Sequence, residues 1–226
     1  MVSFSCKICL RKWGLEMKFE WKKQEKEIYE AVATPCIVDV PPQKYIVIVG
    51  SSNPNGEIFS NKVAALFSTA YQIKKVYKLL AEKSCVITDY SVYPLEGLWR
   101  KSSEKESLVK EELQYRIMIR QPNFITEEIF ENALEEVRSK KANPHLASIS
   151  FETICDGKCV QILHKGAFDD EPASFAVMDR YCLAHGYRRT EKAHREIYLN
   201  NANRTKTANL KTILRYKVAN AENTAL

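Results

Sequence analysis

The chain has 226 residues, 45% of them hydrophobic and 27% charged, with 34 basic and 28 acidic side chains giving a formal charge of +6. That length fits about one or two domains and buries a core without disulfide support. The charges are mixed along the chain with no dense Lys/Arg block interleaved with aromatics, so nucleic-acid binding has little support. No apolar run approaches the ~20 residues that cross a membrane. The N-terminus lacks a secretory apolar region, so a cytoplasmic protein with reduced cysteines is expected. Among seven cysteines, Cys6 and Cys9 form a lone C-x-x-C with no second pair at zinc spacing. His145, His164, His185 and His194 fall in no ligand spacing. There is no G-x-S-x-G, P-loop or dinucleotide fingerprint. No metal and no cofactor are expected.

Residues 1–16 have no clear period and read as an N-terminal extension. Met17 reads as the start of a domain over 17–220. The Lys/Glu-rich stretch Lys18–Glu30 predicts a short helical arm, and Pro41-Pro42 then interrupts the chain. Lys44–Val49 reads as a buried strand, and Gly50–Gly56 as a loop. A long helix follows from Glu57 to Leu80, with Phe59, Val63, Leu66, Ala70, Ile73 and Tyr77 on one face and Tyr71 at the edge of that stripe. Val86–Tyr90 and Tyr93–Trp99 read as extended, and Lys101–Glu112 as a polar connection. Gln114–Arg120 alternates as a strand with Tyr115, Ile117 and Ile119 on one face. Pro122 stops it, and Thr126 caps a helix running to Lys141. Asp156-Gly157 between the apolar runs Ser148–Ile154 and Cys159–His164 predicts a hairpin. His164 reads as a loop-entry residue with a satisfied hydrogen bond. Asp170-Glu171-Pro172 opens another helix, which His185-Gly186 closes. His194–Leu199 and Thr212–Val218 are the last strands, and 221–226 is a tail.

Shifting the sequence by 114 residues lays Val47–Gly50 on Gln161–His164, Glu57 on Glu171 and Phe67 on Tyr181. The repeat predicts an α+β fold of two pseudo-symmetric strand–helix–strand–strand modules, with halves at about 43–121 and 158–218. They would form a curved antiparallel sheet with helices on one face and a ligand groove on the other. Alternation along His194–Leu199 puts His194, Glu196 and Tyr198 on one face. Ile197 and Leu199 would then pack beneath the helices while Glu196 faces the groove. Tyr93–Trp99, and Trp99 above all, occupies the equivalent place in the first module. Tyr71 and Tyr115 could reach the groove, and for both a core position is the plainer reading. An aromatic groove suits a flat, apolar or weakly cationic small molecule. A carboxylate buried in it becomes a plausible general base.

Met17–Lys22, Tyr93–Trp99, Tyr115–Pro122, Gln161–Glu171, His194–Leu199 and Lys211–Val218 together resemble the GyrI-like small-molecule-binding proteins. The resemblance covers nearly everything from Met17 onward. It implies the drug-binding fold that is appended to AraC- and MerR-type regulators, although no helix-turn-helix is visible here. Stand-alone proteins similar to this one include hydrolases that open the strained cyclopropane of DNA-alkylating natural products. What the resemblance implies for this chain is Glu196 as the base and Trp99 stacking on the substrate. Tyr71, Tyr115 and Tyr198 would be wall or donor. Three functions stay open. The first is a cyclopropanoid hydrolase, and the second a non-catalytic binding, sequestering or sensing protein for small molecules. The third is a gyrase-interacting protective protein, which the +6 charge disfavours. The expected partner is a small-molecule ligand.

Overall fold

The computed structural model of the chain describes residues 17–81, 87–100 and 113–221. The extension 1–16 with Cys6 and Cys9, the connection 101–112 and the tail beyond 221 lie outside the described residues.

Short β1 (Met17–Phe19) pairs in parallel with β4 (Ile87–Tyr90). Two single-turn helices, α1 (Trp21–Gln24) and α2 (Lys26–Tyr29), follow β1. The main sheet has nine strands. They are β2 (Cys36–Val40), β3 (Gln43–Ser51), β5 (Leu95–Arg100), β6 (Gln114–Gln121), β7 (Ser150–Ile154), β8 (Gly157–Lys165), β9 (Tyr187–Arg189), β10 (His194–Tyr198) and β11 (Lys211–Asn220). Their order is β2-β8-β11-β10-β5-β6-β3-β7, with β9 on the end of β11, and every pairing in this sheet is antiparallel.

The order makes the repeat visible. In the first half the chain runs β3, α3 (Glu57–Ala81), β5, β6, and in the second β8, α5 (Glu171–Ala184), β10, β11. The halves meet where β5 pairs with β10. The offset of 114 residues holds as far as the helix starts. It shortens afterwards because α3 has 25 residues and α5 only 14.

Each helix packs through one apolar stripe. In α3, Leu66, Ala70 and Ile73 are fully buried against Ile46, Ile48, Ile117 and Ile119 of β3 and β6. In α5, Met178 and Cys182 cover Val160, Ile162 and Leu214. Helix α4 (Glu127–Lys140) lies beside α3. The Thr126 hydroxyl accepts the Ile129 amide at 3.3 Å, as a helix cap does.

Two expectations need correction. Asp156-Gly157 does not make a hairpin: β7 pairs with β3 and β8 pairs with β2 and β11, near opposite ends of the sheet. Only Cys155 and Asp156 join the two strands. Chain reach is about 3.5 Å per residue, so the sheet must curl until its ends approach. Gly157, at φ 64°, supplies the sharp bend. The Asp156 carboxylate serves the interior rather than a turn, lying 2.8 Å from Arg195 Nη2. Inside the curl Arg195 also pairs with Glu96 at 2.9 Å, and the Tyr29 hydroxyl donates to Glu96 at 3.1 Å.

The second correction concerns the groove. The α+β class, the curved antiparallel sheet and the paired modules are as read from the sequence, but the groove opens on the helix-bearing face. Glu196 stands in register between Gly97 and Leu214, and Leu214 is part of the core under α5. Ile197 points the other way, beside Glu96 and the α1–α2 arm. Both faces of β10 are covered, because the curl and the arm enclose the side away from the helices.

Candidate active site

A cleft of about 2360 Å³ runs between α3 and α5, over the seam of β5 and β10. Small-molecule sites are typically ~300–1,000 Å³, so this one has room for several fused rings. Phe59, Val63 and Phe67 of α3 form one wall, and Phe175 and Ala176 of α5 the other. The floor is Trp99 from the first module with His194, Glu196 and Tyr198 from the second.

The position of Trp99 depends on a glycine. A Cβ at Gly97 would stand 2.4 Å from Trp99 Nε1, so only glycine lets the indole fold across β5. The indole N–H then donates to the Tyr198 hydroxyl at 2.9 Å. Tyr198 in turn donates to Glu196 Oε2 at 2.8 Å, and His194 Nε2 lies 3.0 Å from Glu196 Oε1. Burial, and then the charge of Glu196, hold the Tyr198 phenol well above the usual range, so it stays a donor. Packed rings fix these groups. Phe59 stacks on Trp99 at 5.8 Å, Phe168 meets Tyr198 edge-on at 5.8 Å, and Phe175 meets His194 at 4.7 Å.

A second carboxyl faces the first. Glu171, the first residue of α5, is 6% exposed and lines the cleft. Burial, then the charge and hydrogen bond of Glu196, push its carboxyl from 4.5 up to about 9. The helix N-terminus favours a negative charge by only about 0.3–1 kcal/mol, which is far less than this shift. Glu171 therefore carries a proton at neutral pH and donates it to Glu196. One atom each of Glu171, His194 and Glu196 lies within 4.8 Å of the others, a spacing that can gather a divalent cation. The same closeness lets one proton lie between the two carboxyls and relieve their like-charge repulsion.

Of the residues singled out from the sequence, Trp99, Tyr198 and Glu196 come together in one hydrogen-bonded chain. Tyr115 lies behind Trp99 with ring centroids 5.5 Å apart. It is buried there and bonded to Ser52 at 2.6 Å and to Lys62 at 3.1 Å, so it supports the wall without facing the cleft. Tyr71 is 60% exposed and meets the cleft-wall ring of Phe67 at 6.4 Å without itself lining the cleft. His164 is buried, with its ring nitrogens 2.9 Å from Ser174 Oγ and 2.9 Å from the Ala167 carbonyl. Sequence reading missed Glu171, Phe59 and Phe175 as site residues. Glu171 read as an ordinary acidic helix start, and its repeat partner Glu57 is indeed exposed.

The family model described as GyrI-like small molecule binding domain matches residues 33–218. The chain belongs to the GyrI-like family. Among solved structures it is similar to an uncharacterized conserved protein from Listeria innocua, at 30% identity and a TM-score of 0.81, over 89% of this chain and 100% of that one. Two structures from the same organism are described as hydrolases. One is 30% identical with a TM-score of 0.78, over 90% of this chain and 100% of its own. The other is 28% identical with a TM-score of 0.77, over 89% and 100%. No curated protein matches the sequence. Among the described residues of this GyrI-like chain, no helix is long and apolar enough to cross a membrane.

Proposed function

We propose that this GyrI-like protein is a hydrolase of flat, apolar or weakly cationic small molecules, and that cyclopropanoid DNA-alkylating compounds are its substrates. The observation that carries the reading is Glu196. It is a carboxylate at the floor of an aromatic cleft, with both oxygens held by Tyr198 and His194. Similarity to two structures described as hydrolases supports it.

In the proposed step Glu196 takes a proton from a water molecule. The water oxygen attacks a ring carbon of the cyclopropane and the carbon–carbon bond breaks. Its electron pair moves through the conjugated dienone to the carbonyl oxygen, which becomes a phenolate and takes a proton from solvent, while Glu196 returns to solvent the proton it took from water. The part-buried rings of Phe59 and Phe175 provide aromatic area for the substrate beside Trp99, and such ring contacts contribute about 0.5–1.5 kcal/mol each beyond burial. Binding without turnover is the competing reading, in which the same carboxylate is a counter-charge for a weakly cationic ligand. Incubation with a hundredfold molar excess of a cyclopropanoid compound separates the two. Ring-opened product well beyond one equivalent, abolished by Glu196→Gln, supports hydrolysis. Consumption that stops at one equivalent, or that survives the substitution, overturns it.

A further inference from the structure

The carboxyl of Glu171 has no task in the ring-opening step, because the electron pair there ends on an oxygen at the far side of a conjugated ring. Its placement is nevertheless costly. It is buried beside another carboxylate at the cleft lining, and its Oε1 is enclosed without a hydrogen-bond partner. The equivalent residue of the first module, Glu57, stays in solvent. The 3-10 turn Phe168–Asp170 precedes α5, and its Phe168 packs on Tyr198 beside the cleft.

The distance between the carboxyls decides what such a pair can do. In inverting glycosidases the two carboxyls that flank a water and the scissile bond stand about 6.5–9.5 Å apart. Here the two carboxyls are within 4.8 Å and hydrogen-bonded. Carboxyls that close share one proton and act on a single water and a single neighbouring oxygen, as in acid proteinases. A carbonyl group, whose attacked carbon itself bears the oxygen to be protonated, fits that close spacing.

We infer that Glu171 and Glu196 form a one-proton carboxyl dyad that hydrolyses planar aryl esters in this cleft. The inference rests on the hydrolase reading above only in using Glu196 as the base toward water. Water oxygen bonds to the carbonyl carbon as Glu196 takes the water proton and Glu171 gives its proton to the carbonyl oxygen. A neutral tetrahedral intermediate forms. It collapses when Glu171 takes back a hydroxyl proton and Glu196 protonates the departing aryl oxygen. Ester and water become acid and phenol, and the dyad is restored with one proton. Glu196, His194 and Tyr198 from β10 and Asp169 from the 3-10 turn are the titratable groups that face Glu171.

The test uses the full chain with 4-methylumbelliferyl acetate from pH 5 to 10. The wild-type protein is expected to turn over the ester, with kcat falling on an alkaline limb near pH 9. Glu171→Gln and Glu196→Gln are each expected to lower kcat about 100-fold or more, while fluorescence quenching by 4-methylumbelliferone shows the cleft still binding. Glu171→Asp, which keeps a titratable carboxyl, is expected to retain part of the activity together with the alkaline limb. No ester turnover above buffer, or a Glu171→Gln protein with the wild-type rate, overturns the dyad. So does a lowered rate in Glu171→Gln with the alkaline limb intact, which marks a merely structural role. Cyclopropanoid turnover without ester turnover removes the dyad alone. Loss of the cyclopropanoid reaction, with ester hydrolysis intact, removes only the ring-opening reading.

Discussion

Replacing Glu171 by Gln should change how stability depends on pH. In the folded protein burial and the Glu196 charge raise this carboxyl from 4.5 to about 9, whereas in the unfolded chain it titrates near the ordinary value. Between those values the folded state binds one more proton than the unfolded state. Stability from this group is therefore full below about pH 4.5 and is lost as pH rises toward 9. The slope is about 1.4 kcal/mol per pH unit, so roughly 3 kcal/mol has gone by pH 7. Glutamine keeps an N–H donor toward Glu196 and has no proton to lose. Urea unfolding of both proteins at pH 6, 7 and 8 reads the effect of the Glu171 proton together with its coupling to Glu196, since titrations elsewhere cancel in the difference. Glu171→Gln should gain on the wild type by about 2–3 kcal/mol across that range. A difference that stays constant with pH refutes the raised carboxyl and the proton shared with Glu196.

Gly97→Ala should fold, lose about 1–3 kcal/mol from overpacking, and expel the Trp99 indole from Tyr198, because the new Cβ falls 2.4 Å from Nε1. Altered tryptophan emission together with impaired ligand binding would report this, and an unchanged spectrum would contradict the packing. Tyr71→Ala should leave ligand affinity unchanged and stability within about 0.5 kcal/mol, because the ring is 60% exposed and does not line the cleft. A tenfold loss of affinity in a binding titration would place Tyr71 in the site after all.

The repeat and its strands were legible because period-2 and period-3.6 patterns, together with the 114-residue offset, are local signals. The alternation that sets Glu196, His194 and Tyr198 on one face of β10 was legible for the same reason. Which face meets the helices was not. Ile197 and Arg195 are as buried as Glu196, so neither side of β10 is marked as solvent. The partner of Asp156-Gly157 was hidden by a tertiary choice: Asp156 neutralises Arg195 inside the curled sheet, an ion pair 39 residues distant in sequence. Glu171 carried no signal in its type or spacing. Its burial comes from the 3-10 turn before α5 and from β10, whose Glu196, His194 and Tyr198 stand more than twenty residues further along the same module. Tyr71 illustrates the opposite case, an aromatic at the margin of a helical stripe that is mostly exposed and touches the cleft only through Phe67.

The most direct measurement is the fate of oxygen. With a cyclopropanoid compound in water enriched in oxygen-18, attack by a water deprotonated by Glu196 predicts one heavy oxygen in each ring-opened molecule, an unmodified protein mass, and no product from Glu196→Gln. A protein that instead gains the mass of one ligand per chain, with no labelled product released, would show that the carboxylate is alkylated and does not activate water.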